Sequence, residues 1–360
     1  MTTILKLVRL IVLAWMAIGA GGAWAECTGG PSTVMLTLPS TVSVARDAPV
    51  GTLLTSWVSS PATTNYFNCT VPVNTTAAGV RDQIGTFNSS SGTTISDGNG
   101  TYTVYNTNVA GVGVAVGMRF YVGSIGTCST GFTGWSPWGS APATWFGQVC
   151  PYSPTAYTGS FGSQAVMALI KTGTVSTGGT ISGMVAQTAP VYGTTTSTLT
   201  GQAVAYQMTP VTIVPMTCNT PDVTVPMGNF VAADFPTVGS LSPRPASFNV
   251  SLLNCPAGVA VSGTQAGIIH AVQYQIDPSN GTVITNVAKL GGTSPAGGVG
   301  IQLFTSSGAV FPLSTLQSLS TFNGTSGGDY LIPFTARYYR TGTVTPGPAN
   351  GVMTLTVKYQ

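Results

Sequence analysis

The last ten residues of the chain, GVMTLTVKYQ, alternate apolar and polar side chains with a period of two. This alternation predicts a half-buried β-strand. A strand at the end of a chain has no following segment to cover its free edge, and such an edge offers unpaired N–H and C=O groups to another chain. Two arrangements are open: the strand is buried within its own sheet, or a strand from another protein completes it. The apolar face carries Met353, Leu355, Val357 and Tyr359.

The rest of the chain also favours strands over helices. Only 5% of the residues are charged, whereas surface helices usually carry many Glu, Lys and Arg residues. Thr, Ser, Gly and β-branched residues dominate instead, so we predict an all-β protein. The formal net charge of +3 gives no reason to expect binding to nucleic acid or to an anionic membrane. After residue 25 no apolar run is long enough to span a bilayer, so we do not expect a membrane-embedded chain.

Residues 1–25 have the pattern of a secretory signal peptide. Lys6 and Arg9 precede an apolar run at residues 10–20, and Ala23 and Ala25 fit the small-residue cleavage pattern. We therefore expect a mature chain that begins at Glu26 and folds outside the cytoplasm, where disulfides form.

Six cysteines follow the predicted signal peptide, and they lie in three pairs along the sequence. The simplest assignment joins neighbours, although the sequence alone allows other connectivities. Metal binding is the competing interpretation, but no C-x-x-C is present and His270 is the sole histidine, so we expect no metal site. The predicted disulfides are Cys27 with Cys69, Cys128 with Cys150, and Cys218 with Cys255.

Short strand-like runs separated by turn residues indicate two domains. The first, residues 26–207, is predicted to be a β-sandwich or elongated barrel. Residues 208–216 (MTPVTIVPM) contain two prolines and are predicted to be a short, stiff linker. Residues 217–360 form the second domain. The predicted strands are 34–38, 53–58, 102–105, 112–122, 165–171, 181–187 and 204–207 in the first domain, and 223–227, 248–255, 299–304, 332–339 and 351–360 in the second.

Several motifs of the second domain resemble the pilin domain of chaperone–usher fimbriae. Cys218 opens the domain and Cys255 ends a strand; GVGIQL follows at 298–303, ARYYR at 336–340, and VKYQ at the end. The whole chain resembles the two-domain tip adhesins of such fimbriae, in particular those of type 1 fimbriae. The resemblance covers residues 218–360 well and the first domain more weakly.

This resemblance implies a function for the predicted open edge. In the family, the pilin domain is an immunoglobulin-like sandwich that lacks its last strand. A periplasmic chaperone and then the next pilus subunit supply the missing strand, a known example of strand addition, and an outer-membrane usher assembles the fibre. The resemblance thus implies localisation at the fimbrial tip, reached through the periplasm. The implied contacts for the incoming strand are Met353, Leu355, Val357, Tyr359 and Gln360.

The resemblance also implies that the first, lectin-like domain binds a host glycan at its distal end. The family's site maps to Glu26, to the segment after Cys69 that holds Asn74, Arg81 and Asp82, and to the loop after Lys171. Asp82 is the preferred single residue because acids are scarce in this domain, and a solvated Arg81–Asp82 surface pair is the alternative. The family's Asn-Asp pair directly after the cysteine is absent.

The segment between Cys128 and Cys150 is rich in aromatic residues, with Trp135, Trp138, Trp145 and Phe146. Two interpretations remain open. The aromatic side chains form a binding platform, or they pack in the core or at the junction of the two domains.

The sequence has no H-E-x-x-H motif and no phosphate-binding glycine loop. We therefore expect neither catalysis nor a cofactor. A fimbrial tip subunit that binds a protein receptor, or that has a structural role in biofilm, is the main alternative to a glycan-binding adhesin. An outer-membrane protein is disfavoured by the three cysteine pairs.

Overall fold

The computed structural model describes residues 26–30, 32–71, 78–123, 128–138, 146–149, 156–192 and 202–360. Within these residues every regular element is a β-strand except one short 3-10 helix, Ala232–Asp234. The all-β prediction is therefore confirmed. The predicted signal peptide lies outside the described residues.

Fifteen strands form what we call the first unit, residues 26–216, and they make two sheets. One sheet has the order β1-β5-β13-β9-β8-β7, with β4, β10 and β11 attached; the other has the order β12-β6-β14-β15-β2, with β3 paired to β15. The bounds are β1 Glu26–Gly29, β2 Ser32–Leu36, β3 Thr41–Ala45, β4 Val58–Ser59, β5 Thr63–Val71, β6 Ala78–Ile84, β7 Ser90–Ser96, β8 Thr101–Asn106, β9 Val112–Val122, β10 Gly131–Phe132, β11 Ser136–Pro137, β12 Phe146–Val149, β13 Tyr157–Lys171, β14 Gly179–Tyr192 and β15 Val204–Met216.

The pairing of β9 with β13 lies at the centre of the first sheet and runs from Phe161↔Val122 to Lys171↔Val112. Val114, Val116 and Met118 of β9 point into the core between the two sheets, because strand side chains alternate between faces. Gly117 points to the outer face, where an added Cβ would lie 2.8 Å from the ring of Tyr102. The small side chain is thus needed for the close approach of this ring.

The predicted linker is instead the second half of β15. Residues 208–216 continue the strand, pairing with β14 on one side and with β3 on the other. Its prolines fit because neither removes a needed hydrogen bond. Pro210 falls in the gap between the stretches of β15 that pair with β2 and with β3, and Pro215 lies beyond the end of the pairing with β14.

The second unit, residues 217–360, contains two smaller antiparallel sheets around a second core, to which Ala45, Ala48 and Met216 of the first unit also contribute. The strand orders are β16-β22-β20-β19-β18 and β21-β17-β23. The predicted strand at 223–227 is not formed. The bounds are β16 Ala246–Cys255, β17 Val272–Pro278, β18 Thr282–Ile284, β19 Val287–Lys289, β20 Gly297–Thr305, β21 Gln317–Ser318, β22 Gly328–Thr345 and β23 Met353–Tyr359.

Two predicted disulfides are present. Cys27 is bonded to Cys69 across the β1–β5 pair, and Cys218 is bonded to Cys255 at the end of β16. Cys128 is also disulfide-bonded, and its predicted partner Cys150 lies outside the described residues.

Candidate functional site

The C-terminal strand β23 pairs with β17 along one edge, from Val272↔Tyr359 to Pro278↔Met353. Among the described residues no strand pairs with its other edge. Val357 and Tyr359 are buried in the core, whereas Met353 and Leu355, on the same face, are only half-buried. The predicted period-two face is confirmed, and its first half lacks cover.

A groove of about 1780 Å³ runs beside this open edge, and we call it the acceptor groove. Its volume exceeds the roughly 300–1,000 Å³ that is typical of small-molecule sites. One wall is β23 and the other is the segment 217–231, whereas apolar side chains of β20 and β22 line the space between them. These include Val299, Ile301, Leu303 and Ala336.

The second wall of the acceptor groove is extended chain that has no sheet partner among the described residues. Asn219 makes an isolated bridge to Leu253, and no strand pairing follows until β16. Val225, Met227 and Phe230 pack partly buried against the core of the second unit. Both long walls therefore offer backbone groups to a strand placed between them.

The first unit covers one end of the open edge. The Arg46 guanidinium donates to the Val357 carbonyl (2.5 Å) and pairs with the Asp47 carboxylate (2.8 Å). The Asp47 N–H donates to the Tyr359 carbonyl (2.7 Å), and the Tyr359 N–H donates to the Asp47 carboxylate (3.0 Å). Sequence reasoning missed this contact. The adjacent opposite charges in a chain with few charges were the available signal.

The predicted glycan-site residues do not meet in one pocket. Glu26 begins β1 beside the Cys27–Cys69 disulfide, and Asn74 lies outside the described residues. Lys171 ends β13 at the opposite end of the first unit, where its Nζ donates to the Arg46 carbonyl. Because a strand rises about 3.3 Å per residue, the fifteen residues of β13 separate these two ends by about 45 Å.

Burial also removes two of the predicted residues from contact with solvent. Asp82 and Lys171 both have 0% exposure, so neither side chain reaches a surface where a glycan would bind. Asp82 lies on the inward face of β6 with Ala78, Val80 and Ile84, so it is not part of a solvated surface pair with Arg81. Burial lowers the pKa of Lys171 to about 8, and the nearby Asp47 acts in the opposite direction.

Asp82 is the buried acid of the first unit's interior. Burial holds its pKa well above the usual value, with the Thr188 hydroxyl acting in the opposite direction. Neither carboxylate oxygen has a hydrogen bond within the described residues. Burial also raises the pKa of Tyr206, whose hydroxyl lies 2.6 Å from that of Ser163. The arrangement therefore favours a protonated Asp82.

We expect Asp82→Asn to stabilise the first unit at neutral pH. A carboxyl whose pKa is raised on folding stabilises the native state fully below its unfolded pKa, and this contribution is lost as the pH rises through the native pKa. Asn cannot ionise, so the variant should gain on the order of 1–3 kcal/mol over the parent at about pH 7 and nothing at about pH 4. Urea unfolding of both proteins at the two pH values measures this gain.

Asp97→Asn is the control for this experiment, because the Asp97 carboxylate accepts hydrogen bonds from Tyr102 and Asn99. It should destabilise the first unit at neutral pH. An Asp82→Asn protein with an unchanged pH profile would show that Asp82 ionises without cost.

The aromatic segment after Cys128 serves two different roles. Trp138 is 2% exposed and belongs to the core of the first unit, so it packs neither at the junction of the units nor on a surface. Trp135 is partly exposed and lies over the Arg119 guanidinium on the outer face of the sheet. Trp145 and the Phe146 side chain lie outside the described residues.

Other kinds of site find little support in the described residues. They contain no group of three or more His, Cys, Asp or Glu residues that could hold a metal ion. His270 is exposed, and its backbone N–H donates to the Gln360 carbonyl. Among the same residues, no helix is long and apolar enough to cross a membrane.

Comparison with known proteins identifies the second unit. Residues 207–360 match the family model described as "Fimbrial protein". The type-1 fimbrial protein A chain of Escherichia coli K12 is 34% identical over 141 residues, which are 39% of this chain and 72% of that protein. The fimbrial subunit type 1 of Klebsiella pneumoniae matches to the same extent. The chain belongs to the fimbrial protein family, and its location is the extracellular fimbria.

Two solved structures are similar to larger parts of the chain. The CupB6 tip adhesin from Pseudomonas aeruginosa gives a TM-score of 0.32 at 14% identity, covering 92% of this chain and 93% of that chain. The receptor-binding domain of the adhesin MrkD1P of Klebsiella pneumoniae gives a TM-score of 0.28 at 18% identity, covering 54% and 99%.

Proposed function

We propose that this protein is a fimbrial tip adhesin whose second unit accepts a β-strand from another protein and whose first unit binds a host-surface glycan. One observation carries the proposal: the open edge of β23 lies beside the acceptor groove. Strand addition needs a row of unpaired main-chain groups together with pockets for alternate side chains of the incoming strand. Both lie side by side here.

The acceptor groove fits an extended chain better than a compact ligand. Met353 and Leu355 are two residues apart on the inward face of β23, so an incoming strand with the same period can pack its apolar side chains against them. Main-chain bonds supply affinity and the side-chain pockets supply register. Since Arg46 and Asp47 occupy the edge at Val357 and Tyr359, pairing is confined to the part of β23 before them.

The first unit supports a position at the tip of the fibre. Residues 26–216 precede the second unit and are folded into a sandwich, so they are not an extended segment that another subunit could receive as a strand. The chain would then accept a strand from a periplasmic chaperone and, after passage through an outer-membrane usher, from the next pilus subunit. The first unit would face outward, where a host glycan is reached.

Leu355→Asp should remove the chain from assembled fimbriae. A carboxylate on the inward face of β23 would have to be buried when the incoming strand covers it, and burying an unpaired charge is costly. The matched control is Thr356→Asp, which adds the same charge on the exposed face of the same strand, opposite the uncharged Gln275. We expect at least about tenfold less Leu355→Asp protein, and unchanged Thr356→Asp protein, in fimbriae sheared from producing cells.

Adhesion of the same cells tests the first unit. Cells with the parent chain or Thr356→Asp should bind host cells through glycans, and cells with Leu355→Asp should not. Normal incorporation of Leu355→Asp would contradict strand acceptance at this groove. Adhesion that survives enzymatic removal of host glycans would instead favour a protein receptor.

A further inference from the structure

Arg119 stands on the outer face of the first sheet, between two aromatic rings. Its guanidinium carbon lies 4.5 Å from the centroid of the Phe132 ring and 4.8 Å from that of Trp135. Phe132 also meets Tyr121 edge-on at 5.2 Å. All four side chains are partly exposed. We call this group the Arg119 surface.

The guanidinium of Arg119 is held in one orientation. Its Nε donates to the side-chain Oε1 of Gln164 (2.7 Å), and the side-chain Nε2 of Gln164 in turn donates to the Ser60 backbone carbonyl (2.7 Å). Gln164 is 8% exposed, so this support is built into the sheet. The two Nη groups of Arg119 have no hydrogen-bond partner within the described residues. A fixed fork of donors is the geometry that recognises a carboxylate through two parallel bonds.

Arg119 differs in this respect from every other cation of the first unit. Residues 26–216 contain four Lys and Arg residues. Arg46 is paired with Asp47 and the Val357 carbonyl, two guanidinium nitrogens of Arg81 are buried, and Lys171 is fully buried. Arg119 is therefore the one cation among the described residues of this unit whose two Nη groups are both unpaired and unburied.

Polar groups continue along the same face of the sheet. Tyr121 is paired with Gly162, and beyond it Ser160 is paired with the exposed Asn68. From Gln164 to Ser160 the strand rises about 13 Å, a distance that a short oligosaccharide spans. Aromatic rings accept the apolar face of a sugar, and hydroxyl and amide groups bond its edge.

We propose that the Arg119 surface binds a carboxylate-bearing saccharide, with the carboxylate on the two Nη groups of Arg119 and the sugar ring against Tyr121 or Trp135. This inference rests on the proposed function of the first unit as a glycan-binding adhesin. A single cation suits one acidic sugar, whereas nucleic acid requires several phosphate contacts. The carboxylate belongs to a sialic acid or to a uronic acid.

Binding of two matched series of saccharides to the oxidised full chain, completed with a strand peptide, tests the site. The probes are sialyllactose, its methyl ester and lactose; a galacturonate oligomer and its methyl ester form the second series. We expect the acid of one series to bind at least about tenfold more tightly than its ester, because a hydrogen bond to a charged group is lost. The series that binds identifies the source of the carboxylate.

The variants locate the carboxylate. Arg119→Gln should lose the preference for acid over ester, and Arg119→Lys should lower affinity at least about tenfold because lysine lacks the planar fork. Arg244→Gln is the matched control: Arg244 also stacks on an aromatic ring, Phe230, but in the second unit. It should bind like the parent. Gln164→Ala retains the charge of Arg119 but removes the hydrogen bond that orients its guanidinium. This variant should therefore lose more affinity for the acid than for the ester.

Equal binding of acid and ester, or an acid preference that survives Arg119→Gln in a folded protein, would overturn the proposal. Binding of neutral glycans alone would also overturn the proposal. The adhesin function would then require a different binding site on the first unit. If no saccharide binds while fimbriated cells still adhere through glycans, this site fails and the proposed function remains. If adhesion is also absent, both fail.

Discussion

Joining an alternating apolar strand to the chain after Gln360 will raise the unfolding temperature of the second unit by about 10–20 °C. Fully burying each large apolar side chain contributes about 1.5–3 kcal/mol, and the added strand is designed with three of them. Each kcal/mol corresponds to roughly 2–4 °C for a protein of this size. The gain is large because Met353 and Leu355 are only half-buried without the added strand.

The added strand needs a flexible Gly/Ser linker long enough to pass Arg46 and Asp47, which cover the edge at Tyr359. Calorimetry of the full chain with its disulfides intact measures both units in one experiment. The first unit serves as an internal standard, since Arg46 is its one described residue that lines the groove.

A fusion with the same linker, in which Ser replaces the apolar residues of the added strand, is the matched control. It keeps the main-chain bonds but leaves the groove without apolar side chains, so it should give a small part of the increase. An equal increase from both fusions would mean that the linker, or the backbone alone, stabilises the unit. No increase from either would show that the edge of β23 is not an acceptor.

The local alternation of apolar and polar residues was sufficient to predict β9 in the first unit and β23 in the second. The pattern of 112–122 predicted β9 to the residue, and the last ten residues predicted β23 and its inward face. The prolines of 208–216 predicted a linker, and this prediction was wrong. The effect of a proline depends on whether a neighbouring strand needs the missing N–H group. This is a property of the pairing with β14, β2 and β3, which the sequence does not display. Similarly, 223–227 alternates like a strand but lacks a partner.

The candidate binding residues were harder to predict for the same reason. The scarcity of acids in the first domain favours Asp82 as a binding residue, yet its position on β6 places it on the inward face. The resemblance to tip adhesins implies that Lys171 lies near Glu26 and Asp82. The length of β13 instead places Lys171 at the opposite end of the first unit from Glu26. The sequence does not single out Arg119 as a binding residue, because its partners Phe132, Trp135 and Gln164 approach it only in the folded sheet.

Trp138→Ala will cost the first unit about 3–5 kcal/mol, the range found when a large aromatic side chain is removed from a core. Trp138 is 2% exposed and packs in the same core as Val116 and Met118. Its backbone also joins two strands, since its N–H donates to the Val116 carbonyl and its carbonyl accepts from the Thr103 N–H. The cavity therefore opens where β8, β9 and β11 meet.

Trp135→Ala is the control, because Trp135 lies in the same segment three residues earlier but on the outer face. It loses an exposed cation–π contact of about 0.5–1 kcal/mol. Calorimetry of the two variants should lower the unfolding temperature of the first unit by roughly 6–20 °C for Trp138→Ala and by no more than about 4 °C for Trp135→Ala. Saccharide binding should show the opposite order, surviving Trp138→Ala below its unfolding temperature and weakening in Trp135→Ala. If the two variants were equally unstable, the segment would act as one packed unit, and its division into a core side and a binding side would be wrong.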